Sequence, residues 1–284
     1  MQSLADTVRS FDRGRRRLSV AGATCVGSRY PANFDVLHID PELPFLAVAD
    51  GMGGGRGSTV AGATAMTTLV DQIRGIGAAA GPDELRTAVA DTQDQVTRAG
   101  AELGELTGCT LTALLAGPTG RDAWIVQLGD SRAYRLRGGL LELLTVDHTT
   151  AWLGLVHGWY AADSAEAAAA RYQLTRYVGH PEQPEPDLLR VSLLPGDVYC
   201  LCTDGITDQL DYHRLRRLLS RDADLDEIAR QLTADTIAVG GADNATVALL
   251  RVTAQPPAHR ARPPSPPSPS PPHPPRRSRA DGRE

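Results

Sequence analysis

The chain has 284 residues, a net charge of −5 and 42% hydrophobic residues. That is enough to build one large core or two small ones, and it gives no reason to expect nucleic acid as a partner. All 29 basic residues are arginine, because no lysine occurs anywhere, so P-loop, kinase-type and Schiff-base chemistry are excluded.

In chain order, β-like runs fall at Val20–Val26, Phe45–Ala49, Thr110–Ala116, Ala123–Leu128, Ala133–Leu136, Val198–Cys202 and Thr246–Val252. Helical spacing follows the glycines in STVAGATAMTTLVDQIRGI, where Ser58 or Thr59 is available as the cap. A second helix opens at Pro82 with acids in its first turn, and two more cover Tyr212–Ser220 and Leu225–Ala238. Clustered strands, a helix pair and strands again predict an α+β layered fold. Residues 1–17 read as a lead-in and 18–253 as one domain, with a lid-like insertion at about 151–187. Residues 254–284, rich in proline, arginine and serine, read as a disordered tail that is free to bind a protein partner or stay solvated.

The four cysteines include no C-x-x-C pair, so zinc is not expected. Cys200 and Cys202 alternate on one strand and read as small buried residues. No run approaches a membrane span, and the reading is a soluble protein of the reducing cytoplasm without membrane contact.

The glycine-rich stretch DGMGGGRGS, Asp50–Ser58, fails both nucleotide registers. In the dinucleotide fingerprint, the third glycine position falls on Arg56 or on Ser58, and a P-loop would need the missing lysine. The informative feature is a repeated arrangement of aspartates. Asp50, Asp130 and Asp204 each follow an apolar run, and Asp243 directly precedes one. A lone Asp-Gly is usually a turn. Four such carboxylates gathered at one edge would repel, and hard divalent cations relieve that repulsion. Oxygen ligands favour Mg²⁺ or Mn²⁺. Two such ions about 3.5–4 Å apart would activate a water for in-line attack and neutralise a phosphoryl group, which points to metal-assisted phosphoester hydrolysis.

Six segments then fall in order: RYPANFD, FLAVADGMGGGRGSTVA, GCTLTALLAG, VQLGDSRAYRLRGGLLELLTVDHT, LLPGDVYCLCTDGITDQL and GADNATVALL. Together they resemble the metal-dependent Ser/Thr protein phosphatases of the PP2C (PPM) family in their bacterial form. The resemblance implies a four-layer sandwich, two central antiparallel β-sheets flanked by helices, with metals at one end. It implies Asp50 as the carboxylate bridging two Mn²⁺ or Mg²⁺ ions, with the Gly51 carbonyl, Asp204 and Asp243 as further ligands. Asp130 would help to hold a third ion, and Asp35 would position the attacking water. The implied partner is a phosphorylated protein, the substrate of a Ser/Thr kinase, acted on by a monomer.

The chain departs from the family pattern at Phe34, where the family has Glu or Gln, and at Tyr30, where it has its phosphate-binding arginine. Arg29 lies one residue further away, and a bulge or longer loop would restore it to the phosphate. Cys109 replaces a threonine and reads as a packing change. Ser131 and Arg132 read as turn and packing residues, His148 as a strand-end residue rather than a catalytic one, and Trp152 and Trp159 as half-buried packing, with an apolar substrate ledge as the alternative. The intact aspartates favour an active phosphatase. The departures leave open a pseudophosphatase or regulatory binding module, and the tail a binding role of its own.

Overall fold

The computed structural model describes residues 8–255. One sheet runs in the order β1 (Arg9–Arg13), β2 (Arg16–Cys25), β11 (Ala245–Ala254), β10 (Val198–Cys202), β7 (Arg132–Arg137), β8 (Leu140–Leu143). The other runs β3 (Asp35–Ile39), β4 (Phe45–Asp50), β5 (Leu111–Ala116), β6 (Asp122–Leu128), β9 (Asp187–Ser192). Every strand pairing is antiparallel.

The period of two along each central strand builds the layers. In β4, Leu46 and Val48 face the other sheet, while Phe45, Ala47 and Ala49 face helices. In β10, Tyr199 and Leu201 point between the sheets, and Val198, Cys200 and Cys202 point to the opposite face. Both faces are buried, which is why these strands read as unbroken apolar runs. The pair α1 (Arg56–Ile76) and α2 (Pro82–Leu103) covers the five-stranded sheet. The pair α6 (Tyr212–Leu219) and α7 (Leu225–Ala238) covers the six-stranded one. The result is the α+β four-layer sandwich. Cys200 and Cys202 are fully buried on one face of β10.

Three sequence expectations need correction. The boundary at residue 18 falls inside β2; β1 and the start of β2 already belong to the sheet, with Phe11 buried between the layers. The cap of α1 is Gly55 rather than Ser58 or Thr59. Ser58 sits in the first turn, where its hydroxyl donates to the Met52 carbonyl and ties the glycine loop to the helix. Trp152 and Trp159 are exposed (43% and 62%) rather than half-buried. The insertion carries α3 (Thr150–His157) and α4 (Ala165–Ala170). The short α5 (Asp204–Thr207) follows β10 directly. Most of the tail, 256–284, lies outside the described residues.

Among the described residues no helix is long and apolar enough to cross a membrane.

Candidate metal centre

One end of both sheets carries the acids. Asp35 and Asp50 sit opposite each other in the β3–β4 pairing. Asp130 lies in the turn from β6 into β7, Asp204 heads α5, and Asp243 precedes β11. Asp50, Asp130, Asp204 and Asp243 line one cavity of about 580 Å³, together with Arg29, Tyr30, Phe34 and Gly51. Arg29 is the only cation among the described residues lining it.

Backbone packing makes this convergence possible. A Cβ on Gly51 would lie 2.6 Å from the Ser58 carbonyl oxygen, and one on Gly205 would lie 1.9 Å from that of Asn244. Only glycine lets the Asp50 and Asp204 turns approach so closely. The Gly51 N–H donates to the Phe34 carbonyl (3.2 Å). Among the described residues no backbone hydrogen bond of the loop ends on the Gly51 carbonyl, which leaves it available to a ligand. Asn244 braces the third turn, its Oδ1 accepting from the Phe34 N–H (2.7 Å) and its side-chain amide donating to the Ala32 carbonyl (3.2 Å). The side chain of Phe34 is buried beside the site and meets Tyr30 edge-on, ring centroids 5.6 Å apart.

Asp35 lies behind the acids that line the cavity. It is buried, and Thr203 Oγ1 donates to its Oδ2 (2.9 Å). Burial, with added repulsion from Asp204 and Asp243, pushes its carboxyl up to about 7. Burial and the charges of Asp35 and Asp204 raise Asp50 well above the carboxylate range. Burial and Asp204 lift Asp130 to about 8; burial, Asp208 and Asp243 lift Asp204 to about 6. Asp243 is also raised by burial, although Arg29 and the Asn244 N–H pull the other way.

Two oxygens, Asp35 Oδ1 and Asp204 Oδ1, are buried without a hydrogen-bond partner. Buried carboxylates that repel and lack partners are costly unless a cation joins them. No three acidic, histidine or cysteine side chains close into a complete cage among the described residues. Acids spaced around a cavity of about 580 Å³ suit hard cations that keep several of their waters, as Mg²⁺ and Mn²⁺ do. The donor set therefore fits divalent metal and does not fit zinc.

Three supporting residues were not legible as site residues. Thr110 Oγ1 accepts from the Asp50 N–H (2.9 Å) and pairs with the buried Ser131 hydroxyl (2.7 Å). Thr203 holds Asp35, and its hydroxyl also accepts from the Thr246 N–H (3.1 Å). Asp208, one turn beyond Asp204, adds negative charge beside Asp204 and Asp243. The threonines look like β-branched strand fillers in sequence; Thr203 at least directly precedes Asp204, whereas Thr110 has no aspartate near it in the chain. Arg132 is a packing residue, in a bidentate ion pair with Asp147. His148 is buried, and its Nδ1 accepts from the Gly129 N–H (3.1 Å).

The sequence profile of the protein phosphatase 2C family matches residues 32–240. The serine/threonine phosphatase stp of Listeria monocytogenes is 30% identical over 223 residues, 77% of this chain and 88% of its own. Among solved structures, PppA of Pseudomonas aeruginosa, a key regulatory component of that organism's T6SS, has 32% identity and a TM-score of 0.71, covering 86% of this chain and 100% of PppA. The catalytic domain of PstP in complex with two manganese ions has 28% identity and a TM-score of 0.73, covering 84% of this chain and 99% of that domain. With the profile covering most of the chain and a curated relative 30% identical over 77% of it, the chain belongs to the protein phosphatase 2C family of metal-dependent serine/threonine phosphatases.

Proposed function

We propose that this phosphatase removes phosphate from serine and threonine of phosphoproteins at the acid-lined cavity, and that Asp50, the Gly51 carbonyl, Asp204 and Asp243 hold its two metal ions. The convergence of four carboxylates on a cavity lined by a single cation carries the reading. When bound, two Mn²⁺ or Mg²⁺ ions supply charge neutralisation and a water of lowered pKa for in-line attack. Asp50, at the end of β4 and between the other acids, is the residue to hold both. Asp130, with Asp204 and Asp208 along an adjoining narrow pocket, is the candidate holder of a third ion.

The chain's own groups do the rest. Asp35, behind the acids and with its Oδ1 buried and unpartnered, is our candidate to orient the attacking water. Arg29 offers a planar fork to the phosphoryl oxygens at the cavity mouth. The Arg29 N–H donates to the Ala242 carbonyl (2.8 Å), and that bond holds the backbone of Arg29 against the Asp243 turn. The cysteines take no part, since Cys109, Cys200 and Cys202 are buried in apolar surroundings and burial raises the Cys109 thiol.

The wider setting rests on the same reading. Phosphoprotein substrates imply an opposing Ser/Thr kinase and a cytoplasmic site of action. The proposed active form is a monomer, and the proline- and arginine-rich tail is a candidate contact for a protein partner. Turnover of a phosphothreonine peptide with Mn²⁺, its loss in EDTA, and a fall of at least a hundredfold in Asp50→Asn and Asp204→Asn test the proposal. Metal-independent turnover, or unchanged rates in both variants, would overturn it.

A further inference from the structure

A second cavity of about 610 Å³ lies under the insertion. Its walls carry Leu143 and Val146 from the end of β8 and the loop beyond it, and Trp152 and Leu155 from α3; all four are exposed. Exposed apolar side chains gathered round one hollow mark a surface that another group covers.

The helices around it are well anchored. The Thr149 side chain caps α3 and the Ser164 side chain caps α4. The Tyr160 hydroxyl donates to the Thr150 carbonyl (2.5 Å). The hollow is thus preformed.

It also connects to the metal centre. A narrow pocket shares Asp130, Tyr172 and Asp204 with the acid-lined cavity. The same pocket shares Arg132, Asp147 and Arg171 with the apolar hollow. At the hollow's end of this pocket the charges are matched, because Arg132 is paired with Asp147 and Arg171 with Asp208, while the unmatched acids Asp130 and Asp204 belong to the metal-centre end. The hollow's own charged lining is the paired Arg132, Asp147 and Arg171 and the exposed Asp163, so apolar burial is the main term it offers for recognition.

We infer that the hollow is a specificity subsite for the phosphoprotein substrate. It takes a large apolar side chain, Leu, Met or Phe, that lies a few residues from the phosphorylated one. The inference rests on the phosphatase reading of the adjoining cavity and adds a preference the acids cannot supply. The pocket between the two cavities holds only about 20 Å³, so a chain with its phosphate at Arg29 and the acids would reach the hollow over the surface, past the exposed Tyr172. Burying one such side chain corresponds to about a tenfold gain or more in affinity.

The test uses the full chain with Mn²⁺ and phosphothreonine peptides in which a single Phe, Leu or Glu is scanned through an alanine background. Expected is one position at which Phe or Leu raises kcat/KM about tenfold over Ala, mainly through KM, while Glu does not. In Leu155→Asp and in Trp152→Ala that ratio falls to about one. The Trp152 side chain is exposed in the free protein, so its truncation separates recognition from folding. Turnover of p-nitrophenyl phosphate with a flat peptide scan would overturn this inference and leave the phosphatase reading standing. Failure to turn over any phosphoester would overturn the phosphatase reading instead. Sedimentation showing a dimer that Leu155→Asp dissociates would assign the hollow to a second copy and also overturn the inference.

Discussion

Arg29 shows how much one residue of offset matters. Its guanidinium carbon stands 5.2 Å from the Tyr30 ring centroid, and its charge acts on Asp243. Tyr30 itself packs against Gly54 and Phe34, so the ring fills the place from which an arginine would otherwise reach the acids. In the proposed function Arg29 binds phosphate without joining the chemistry, so its loss should appear in KM. We expect Arg29→Ala to raise KM for a phosphothreonine peptide about tenfold with a smaller change in kcat, and Arg29→Lys to recover only part of the loss, since the bidentate fork is gone. Steady-state kinetics on the two variants check this, and unchanged constants in Arg29→Ala would remove Arg29 from the site. The strand-end aspartates were legible because they recur: one Asp-Gly after an apolar run is an ordinary turn, but four carboxylates at strand ends are not explained that way. Asp35 was not legible in that way. It opens a short strand, and only the family resemblance singled it out. Thr110 and Thr203, which orient Asp50 and Asp35, were hidden because threonine suits any buried strand.

At the scale of elements, the strands that sequence periodicity missed are β1, β3, β8 and β9, and these are the four sheet edges. Edge strands are short and carry charge, which blunts edge-to-edge pairing and also breaks the apolar run. β9, for example, buries only Val191 among six residues. The central strands, buried on both faces, were found in place, and so was α7 with its full extent. One connection between elements was read too modestly. The peptide of Gly129 is gripped on both sides by His148, whose backbone N–H donates to the Gly129 carbonyl (3.0 Å) while its ring Nδ1 accepts from the Gly129 N–H (3.1 Å). Its Nε2 stands between Asp187 Oδ2 (3.1 Å), at the start of β9, and the Arg176 guanidinium (2.9 Å). Arg176 also binds Asp187, at Oδ1 (2.8 Å). Burial lowers the pKa of His148 and keeps the ring neutral, as this arrangement requires. Thus one side chain fastens the turn that bears Asp130 to the base of the insertion. His148→Ala leaves the buried Gly129 N–H unpaired, at a cost of about 1–3 kcal/mol. Calorimetry should show Tm lower by roughly 2–4 °C for each kcal/mol. His148→Asn, whose amide oxygen can accept the same bond, should lose less, and equal losses in the two variants would count against the Gly129 contact as the cause.

For the whole molecule, the same acids that make the site make the metal-free fold sensitive to pH. Asp35 is raised to about 7, Asp204 to about 6 and Asp130 to about 8 in the protein without metal, all above the ordinary aspartate value near 3.8. A carboxyl whose folded pKa is raised binds more protons when folded than when unfolded. Stability therefore falls as pH rises from that ordinary value through the folded one, and levels off above it. In EDTA the protein should be most stable at or below about pH 4 as far as these groups are concerned, and should lose stability steadily from there up to about pH 8. Divalent metal reverses the trend, because it binds the deprotonated acids and competes with protons for them. Adding Mn²⁺ should raise Tm strongly at pH 7.5 and little at pH 5, and Asp50→Asn should flatten both responses by removing one of the clustered charges. Thermal melts across pH with EDTA or Mn²⁺ read all of this without any measurement of turnover. A Tm in EDTA that climbs between pH 5 and pH 8, or one indifferent to Mn²⁺ at pH 7.5, would mean that the clustered acids are neutralised by something other than metal.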